Sequence, residues 1–197
     1  MRIQLITLFL IASIGLQSQS DFFKSPVYSI SFFNHSISLV GYDEIVKKPL
    51  NIGAVLGIEF TYKQNPISST HQKIELGWYR HKNLNKAVYV KTDFVHRFTS
   101  KNGLYTEYNI GVGGIVDIPE FQTFSVNDQG KFVTDGLGAR LNALVSLGIS
   151  GGFDIDIKEK YIISPFVKYE SMLQFPYSNT LPLLPHSMLH LGSRIKL

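Results

Sequence analysis

GLYTEYNIGVGGIVD (Gly103–Asp117) falls into two sets when every second residue is taken. Leu104, Thr106, Tyr108, Ile110, Val112, Gly114 and Val116 form a largely apolar set; Tyr105, Glu107, Asn109, Gly111, Gly113, Ile115 and Asp117 form a polar, glycine-rich one. Successive side chains of a strand point to opposite faces, so this alternation describes one long strand with an oily face and a polar face. The pattern recurs along the chain with turn signals between segments, and helix-period patterns are absent past the first twenty residues. An all-β fold is therefore predicted.

Eight strands are read: Asn34–Gly41, Asn51–Tyr62, Thr70–His81, Lys86–Phe98, Leu104–Asp117, Leu137–Phe153, Lys160–Leu173 and Ser187–Leu197. Most run to 11 residues or more, against a mode of ~5–6 in soluble sheets and ~9–11 for a tilted membrane strand. Length favours the membrane. The connections Lys63–Ser69, Thr99–Gly103 and Asp154–Glu159 are short, whereas Pro119–Gly136 and Gln174–His186 are longer and fall together at the opposite end. That is the asymmetry of short periplasmic turns and long external loops. The turn near Lys82–Asn85 is short although it lies on the long-loop side.

On this reading Ile52, Leu56, Ile74, Leu76, Trp78, Val88, Val90, Phe94, Leu141, Leu147, Val167, Leu191 and Ile195 face outward, with aromatics such as Tyr62, Phe98, Tyr108 and Tyr169 on the same face. The other face carries Glu59, Lys73, Glu75, Lys91, Asp93, Arg97, Glu107, Arg140, Lys168, Glu170 and Arg194, six basic and five acidic residues. An eight-stranded barrel is just wide enough for side chains to fill it, and charges sealed inside must be paired. A three-residue turn Lys101-Asn102-Gly103 with a left-handed glycine sets Arg97 opposite Glu107. One register of the preceding pair sets Lys73 opposite Asp93 and Glu75 opposite Lys91. The inward glycines Gly111, Gly113, Gly148 and Gly152 leave room for inward Tyr and Arg side chains to lie over them.

Hydrophobic content of 44% and charged content of 17% exclude a disordered chain, and no apolar run is long enough for a membrane helix. Nineteen basic and fifteen acidic residues give a dispersed net charge of +4, so no basic patch points to nucleic acid. MRIQLITLFLIASIGLQSQS (residues 1–20) has the basic start, apolar core and small polar end of a cleaved signal peptide, leaving 21–197 as the exported barrel domain. The absence of cysteine removes thiol nucleophiles, disulfides and thiolate metal sites.

Candidate chemistry is sparse. His35-Ser36 and His186-Ser187 are strand neighbours facing opposite ways unless His186 lies in the loop. His186 and His190 would stand ~13 Å apart along a strand, too far to share a metal. The glycine runs lack the setting of a phosphate loop. No catalytic residue, metal ligand or cofactor is assigned. The segment after Pro119, with an Asn-Asp-Gln-Gly turn, is read as a hairpin above the barrel whose Phe121, Phe124 and Phe132 are a candidate external contact surface.

LGWYRHKNLNKAVYV (Leu76–Val90), GLYTEYNIGVGG (Gly103–Gly114) and LPLLPHSMLHLGSRIKL (Leu181–Leu197) resemble the small outer-membrane β-barrel proteins of Gram-negative bacteria, most of them without an assigned activity. The resemblance implies a monomer in outer-membrane lipid, inserted by the outer-membrane assembly machinery. The expectation is an eight-stranded antiparallel up-and-down transmembrane β-barrel with a filled polar lumen, not an enzyme, acting structurally or by binding through external loops. A small pore, a lipid-modifying enzyme and a soluble periplasmic barrel with its apolar face inward are the alternatives.

Overall fold

The computed structural model describes residues 26–38, 50–81, 85–120, 123–126, 129–135, 138–157, 160–177 and 182–196. The expected signal peptide and Phe121 lie outside the described residues. Every regular element described is a strand: β1 (Val27–Ser36), β2 (Ile52–Gln64), β3 (Ser68–His81), β4 (Asn85–Thr99), β5 (Leu104–Pro119), β6 (Thr123–Val126), β7 (Phe132–Asp135), β8 (Arg140–Phe153), β9 (Ile155–Ile157), β10 (Tyr161–Phe175) and β11 (Leu184–Lys196).

Strands β1, β2, β3, β4, β5, β8, β10 and β11 pair in that order, each antiparallel to the next, and β11 returns to pair with β1. The sheet is therefore a closed eight-stranded up-and-down barrel without a free edge. Short β9 extends the β8 side of the ladder against the start of β10, and β6 pairs with β7 in a separate hairpin. The expected hairpin is thus present, turning at Gly130 with φ of 75°.

The sequence placed the first strand at Asn34–Gly41, and the structure moves it to Val27–Ser36. Tyr28, Ile30 and Phe32 face outward, but Phe33 and His35 enter the lumen, which obscures the contrast between the two faces of this strand. Strand β11 likewise begins earlier than expected, at Leu184, so the final loop shortens to residues 176–183.

Alternation of exposure follows the expected parity. Leu56, Leu76, Trp78, Val90, Leu104, Ile110, Val112, Leu147 and Leu191 are all exposed, in a belt that encircles the barrel. A band of large apolar side chains around the whole circumference suits a hydrocarbon surround and no aqueous one. Connections at one end are tight, as at Lys101–Gly103, where Gly103 takes φ of 82° to close the β4–β5 hairpin. At the other end, residues 37–51, 120–139 and 176–183 make long connections. These are called here the short-turn end and the long-loop end.

Candidate functional site

The inward faces of the eight strands build the only extended concentration of charge and hydrogen bonding among the described residues. Local strand pairing supplies its first layer of contacts. The registers place Arg97 opposite Glu107, Lys73 opposite Asp93 and Glu75 opposite Lys91, as the turn length and charge pattern require. Arg97 Nε then donates to Glu107 at 2.6 Å and Lys91 Nζ reaches Glu75 at 2.8 Å.

Barrel closure supplies the second layer. Lys91 Nζ, fully buried, also lies 2.6 Å from Asp93 and 2.5 Å from Glu170 on the far wall. Lys73 bridges Glu75 at 2.6 Å and Glu59 at 3.5 Å, and Lys168 lies 3.1 Å from Glu170. Arg194 holds Glu59 at 2.9 Å and meets both carboxylate oxygens of Glu107 with its terminal nitrogens. Ser150 adds a hydrogen bond to Glu107 at 2.7 Å. Ten of the eleven charged residues read from the sequence therefore form one interlocked network with five cations and five anions.

Arg140 is the exception. It has the expected parity but sits exposed at the end of β8, opposite Asp117, outside the network. The last inward position of a barrel strand opens onto solvent, so parity alone overstates its burial. Asp117, buried and bonded to Asn85, belongs to this rim and was not among the expected site residues, although it shares the parity of Glu107.

Glu75, Asp93 and Glu170 bring one carboxylate oxygen each within 4.8 Å of the others, a spacing that could hold a metal ion. The Lys91 ammonium already stands among all three, so the chain carries its own cation at that point. An ammonium with three short ionic contacts meets the demand that buried charge be paired on all sides.

Toward the long-loop end the filling changes. Phe33, Val55, Tyr79, Ala87, Tyr89, Ile115, Leu144, Met172 and Met188 form one buried cluster inside the barrel. The expectation of a filled polar lumen is corrected in part here: the lumen is filled, but at this level by apolar and aromatic residues that share the inward parity of the charges. Tyr89 lies across Gly77 on β3, where any added Cβ would collide with its ring. Above the cluster His35 stacks on Tyr79 at 4.2 Å between ring centroids. Gln174 Oε1 accepts from His186 Nε2 at 3.0 Å, which leaves His186 Nδ1 to accept from His35 Nε2 at 2.8 Å. His186 is thus in strand β11 and in the lumen, not in a loop; its even spacing from His190 was the signal for this. Ser36 and Ser187 form no pair with these histidines, and Ser187 instead donates to the Ser38 carbonyl at 2.8 Å.

At the short-turn end a polar cavity of about 160 Å³ lies between the network and the turns, lined in part by Glu59, His71, Arg97, Asp154, Ser164 and Arg194. His71 is pinned there between Ser69 at 2.7 Å and Thr61 at 3.1 Å. At the opposite end, outside the strands, the Arg80 hydrogen bond holds Glu120 below the usual carboxylate range. The backbone of the β6–β7 hairpin is described, but the side chains of Phe124 and Phe132 lie outside the described residues.

No protein-family model matches the chain, and no curated protein sequence does. Solved structures do. Neisserial surface protein A is similar at a TM-score of 0.54 and 10% identity, over 88% of this chain and 96% of that one. The outer membrane enzyme PagL gives 0.47 and 11%, over 84% and 97%. Ail, the attachment invasion locus protein of Yersinia pestis, gives 0.44 and 13%, over 88% and 98%. At such identities the likeness is one of fold. The fold is that of the small outer-membrane barrels, and together with the apolar belt it gives the chain an outer-membrane location.

Proposed function

We propose that this protein is a sealed outer-membrane barrel, without catalysis or conduction, that serves the envelope as a rigid scaffold and makes its contacts through the connections at the long-loop end. On this reading it is a monomer in outer-membrane lipid, delivered by the barrel-assembly machinery, with the short turns in the periplasm. The observation that carries the proposal is the filled interior. Tyr79, Asp93, Glu170, Gln174, His186 and Met188, drawn from both the charged network and the packed layer with its histidines, are each 0% exposed. A pore needs a continuous wet path, and a plug of packed aromatics followed by paired charges leaves none at these levels. Rigid barrels bearing variable loops are also where binding usually resides.

Planar-bilayer recording of the purified barrel tests the reading. A sealed barrel gives no steady single-channel conductance. Discrete, reproducible channels from the heat-modifiable, folded protein would replace it with the pore. Unaltered lipid A in a strain overproducing the protein is the matching expectation, and a change in acyl-chain content would replace it with the lipid-modifying enzyme.

A further inference from the structure

His35 and His186 end a hydrogen-bonded relay whose direction is fixed along its length. With its amide oriented so that both ends are satisfied, Asn142 donates to the Pro176 carbonyl at 2.6 Å and accepts from Gln174 Nε2 at 2.6 Å. Gln174 Oε1 then accepts from His186 Nε2 at 3.0 Å, and His186 Nδ1 accepts from His35 Nε2 at 2.8 Å. The relay ties Pro176, the first residue of the final connection, to β8, β10, β11 and β1 in turn. It ends on His35 Nδ1, a lone pair without a hydrogen-bond partner on a residue only 1% exposed.

The surroundings suit two neutral rings. Among the described residues no carboxylate contacts either imidazole. Strand β3 brings Tyr79, stacked on His35, and His81, with its ring centroid 5.5 Å from that of His35. Asp117 of β5 is bonded to Asn85 of β4 and faces Arg140 of β8. Glu170, four residues along β10 from Gln174, is held by Lys91 and Lys168 and lies 3.4 Å from His190 of β11. A first proton enters at His35 Nδ1 and sets an uncompensated charge against the packed layer. A second finds only the lone pair to which His35 Nε2 donates, and breaks that hydrogen bond.

We infer that the relay is a proton-sensitive latch, closed while both histidines are neutral and released by acid, which frees the final connection and loosens the packed layer while the charge network stays shut. The latch rests on the sealed barrel proposed above. Linkage gives its sign. Solvated imidazoles in the open form bind protons that the closed form does not. Lowering the pH below the free imidazole's ~6.5 therefore raises the open population by up to about tenfold per pH unit for each proton taken up.

Thiol reactivity measured across pH tests the latch. Leu144→Cys places a unique thiol in the packed layer, opposite Gln174. The folded barrel in detergent is treated with dithiodipyridine, which reacts with thiols in acid as well as at neutrality, and each rate is divided by that of the boiled protein. The comparison is between about pH 7.5 and about pH 5, the range in which histidine changes charge. Slow labelling is expected at neutral pH, with a rise of at least about tenfold in acid; the compact band before boiling should persist in acid, and protection should return on neutralisation. The rise should vanish in His35→Phe/His186→Gln, where neither position takes a proton. Should that pair fail to give heat-modifiable barrel, Gln174→Glu replaces it, because a carboxylate facing His186 compensates the imidazolium and must reduce the rise. Equal protection at both pH values, or an undiminished rise in the variant, overturns the latch. Fast labelling already at neutral pH overturns the sealed barrel itself, and the latch with it.

Discussion

Near the long-loop end, Phe33, Tyr79, Ile115, Leu144 and Met188 close the lumen by packing; toward the short-turn end, Lys73, Glu75, Lys91, Glu107 and Arg194 close it by pairing charge. The two solutions fail differently. A packed layer that loses one side chain keeps the remaining contacts and pays for a cavity that the neighbours partly refill. A charge network that loses one member leaves its partners in a low-dielectric interior with nothing to neutralise them. The network also leaves residual polarity where its partners run out, which is why the cavity lies at the short-turn end and not within the aromatic layer.

The largest expected effect comes from the centre of the network. Lys91→Met removes the cation closest to Glu75, Asp93 and Glu170, leaving Lys168 at 3.1 to 3.9 Å from them, and should cost about 3–5 kcal/mol, read as a fall in the denaturant midpoint of the barrel in detergent, or as loss of the compact band before boiling. A smaller loss would mean that Lys168 alone, or a proton taken up by one carboxylate, neutralises the three acids. In the packed half, Met188→Ala should cost about 2–5 kcal/mol by the same measurement, with the barrel still inserted and heat-modifiable. Gly77→Ala sharpens the contrast. Its Cβ would meet the Tyr89 ring, and the overpacking should cost about 1–3 kcal/mol, relieved in part by the double variant with Tyr89→Leu. Arg140→Ala should change stability by less than about 0.5 kcal/mol. If it matched Lys91→Met, the rim would belong to the network and the boundary between the two regions would be misplaced.

Much of the charged half was legible in the sequence because strand geometry translates parity into face. Turn length at Lys101–Gly103 fixed the β4–β5 register, and charge complementarity picked the β3–β4 register from its neighbours. The contacts across the lumen were not legible. Lys91 to Glu170 and Arg194 to Glu107 join residues 79 and 87 positions apart, and which walls meet depends on the stagger at which the sheet closes. The packed half was hidden for another reason. Ile115 reads on the inward face as a lone apolar member of a polar set, and Leu144 and Met188, on the same face as the charges, are passed over by a reading that equates inward with polar. Gly77 and Gly53, opposite Tyr89 and Phe33, were the available signal: large inward rings require bare backbone across from them. The displaced first strand has the same origin, since Phe33 and His35 are inward residues with an outward look. Arg140 shows the converse, a charge with lumen parity at a level where the lumen has already opened.

Site-directed thiol labelling tests the two-part lumen most directly, because the chain contains no native cysteine and any introduced one is unique. Ser69→Cys lies on the cavity at the short-turn end, and Met188→Cys lies in the packed layer. With a small membrane-impermeant maleimide and the barrel reconstituted in vesicles, Ser69→Cys should react when the reagent has access to the short-turn side, and Met188→Cys should remain unlabelled from both sides until the protein is boiled. Rapid labelling of Met188→Cys in the folded barrel would mean that water reaches the packed layer, and the lumen would then be a channel instead of a sealed core.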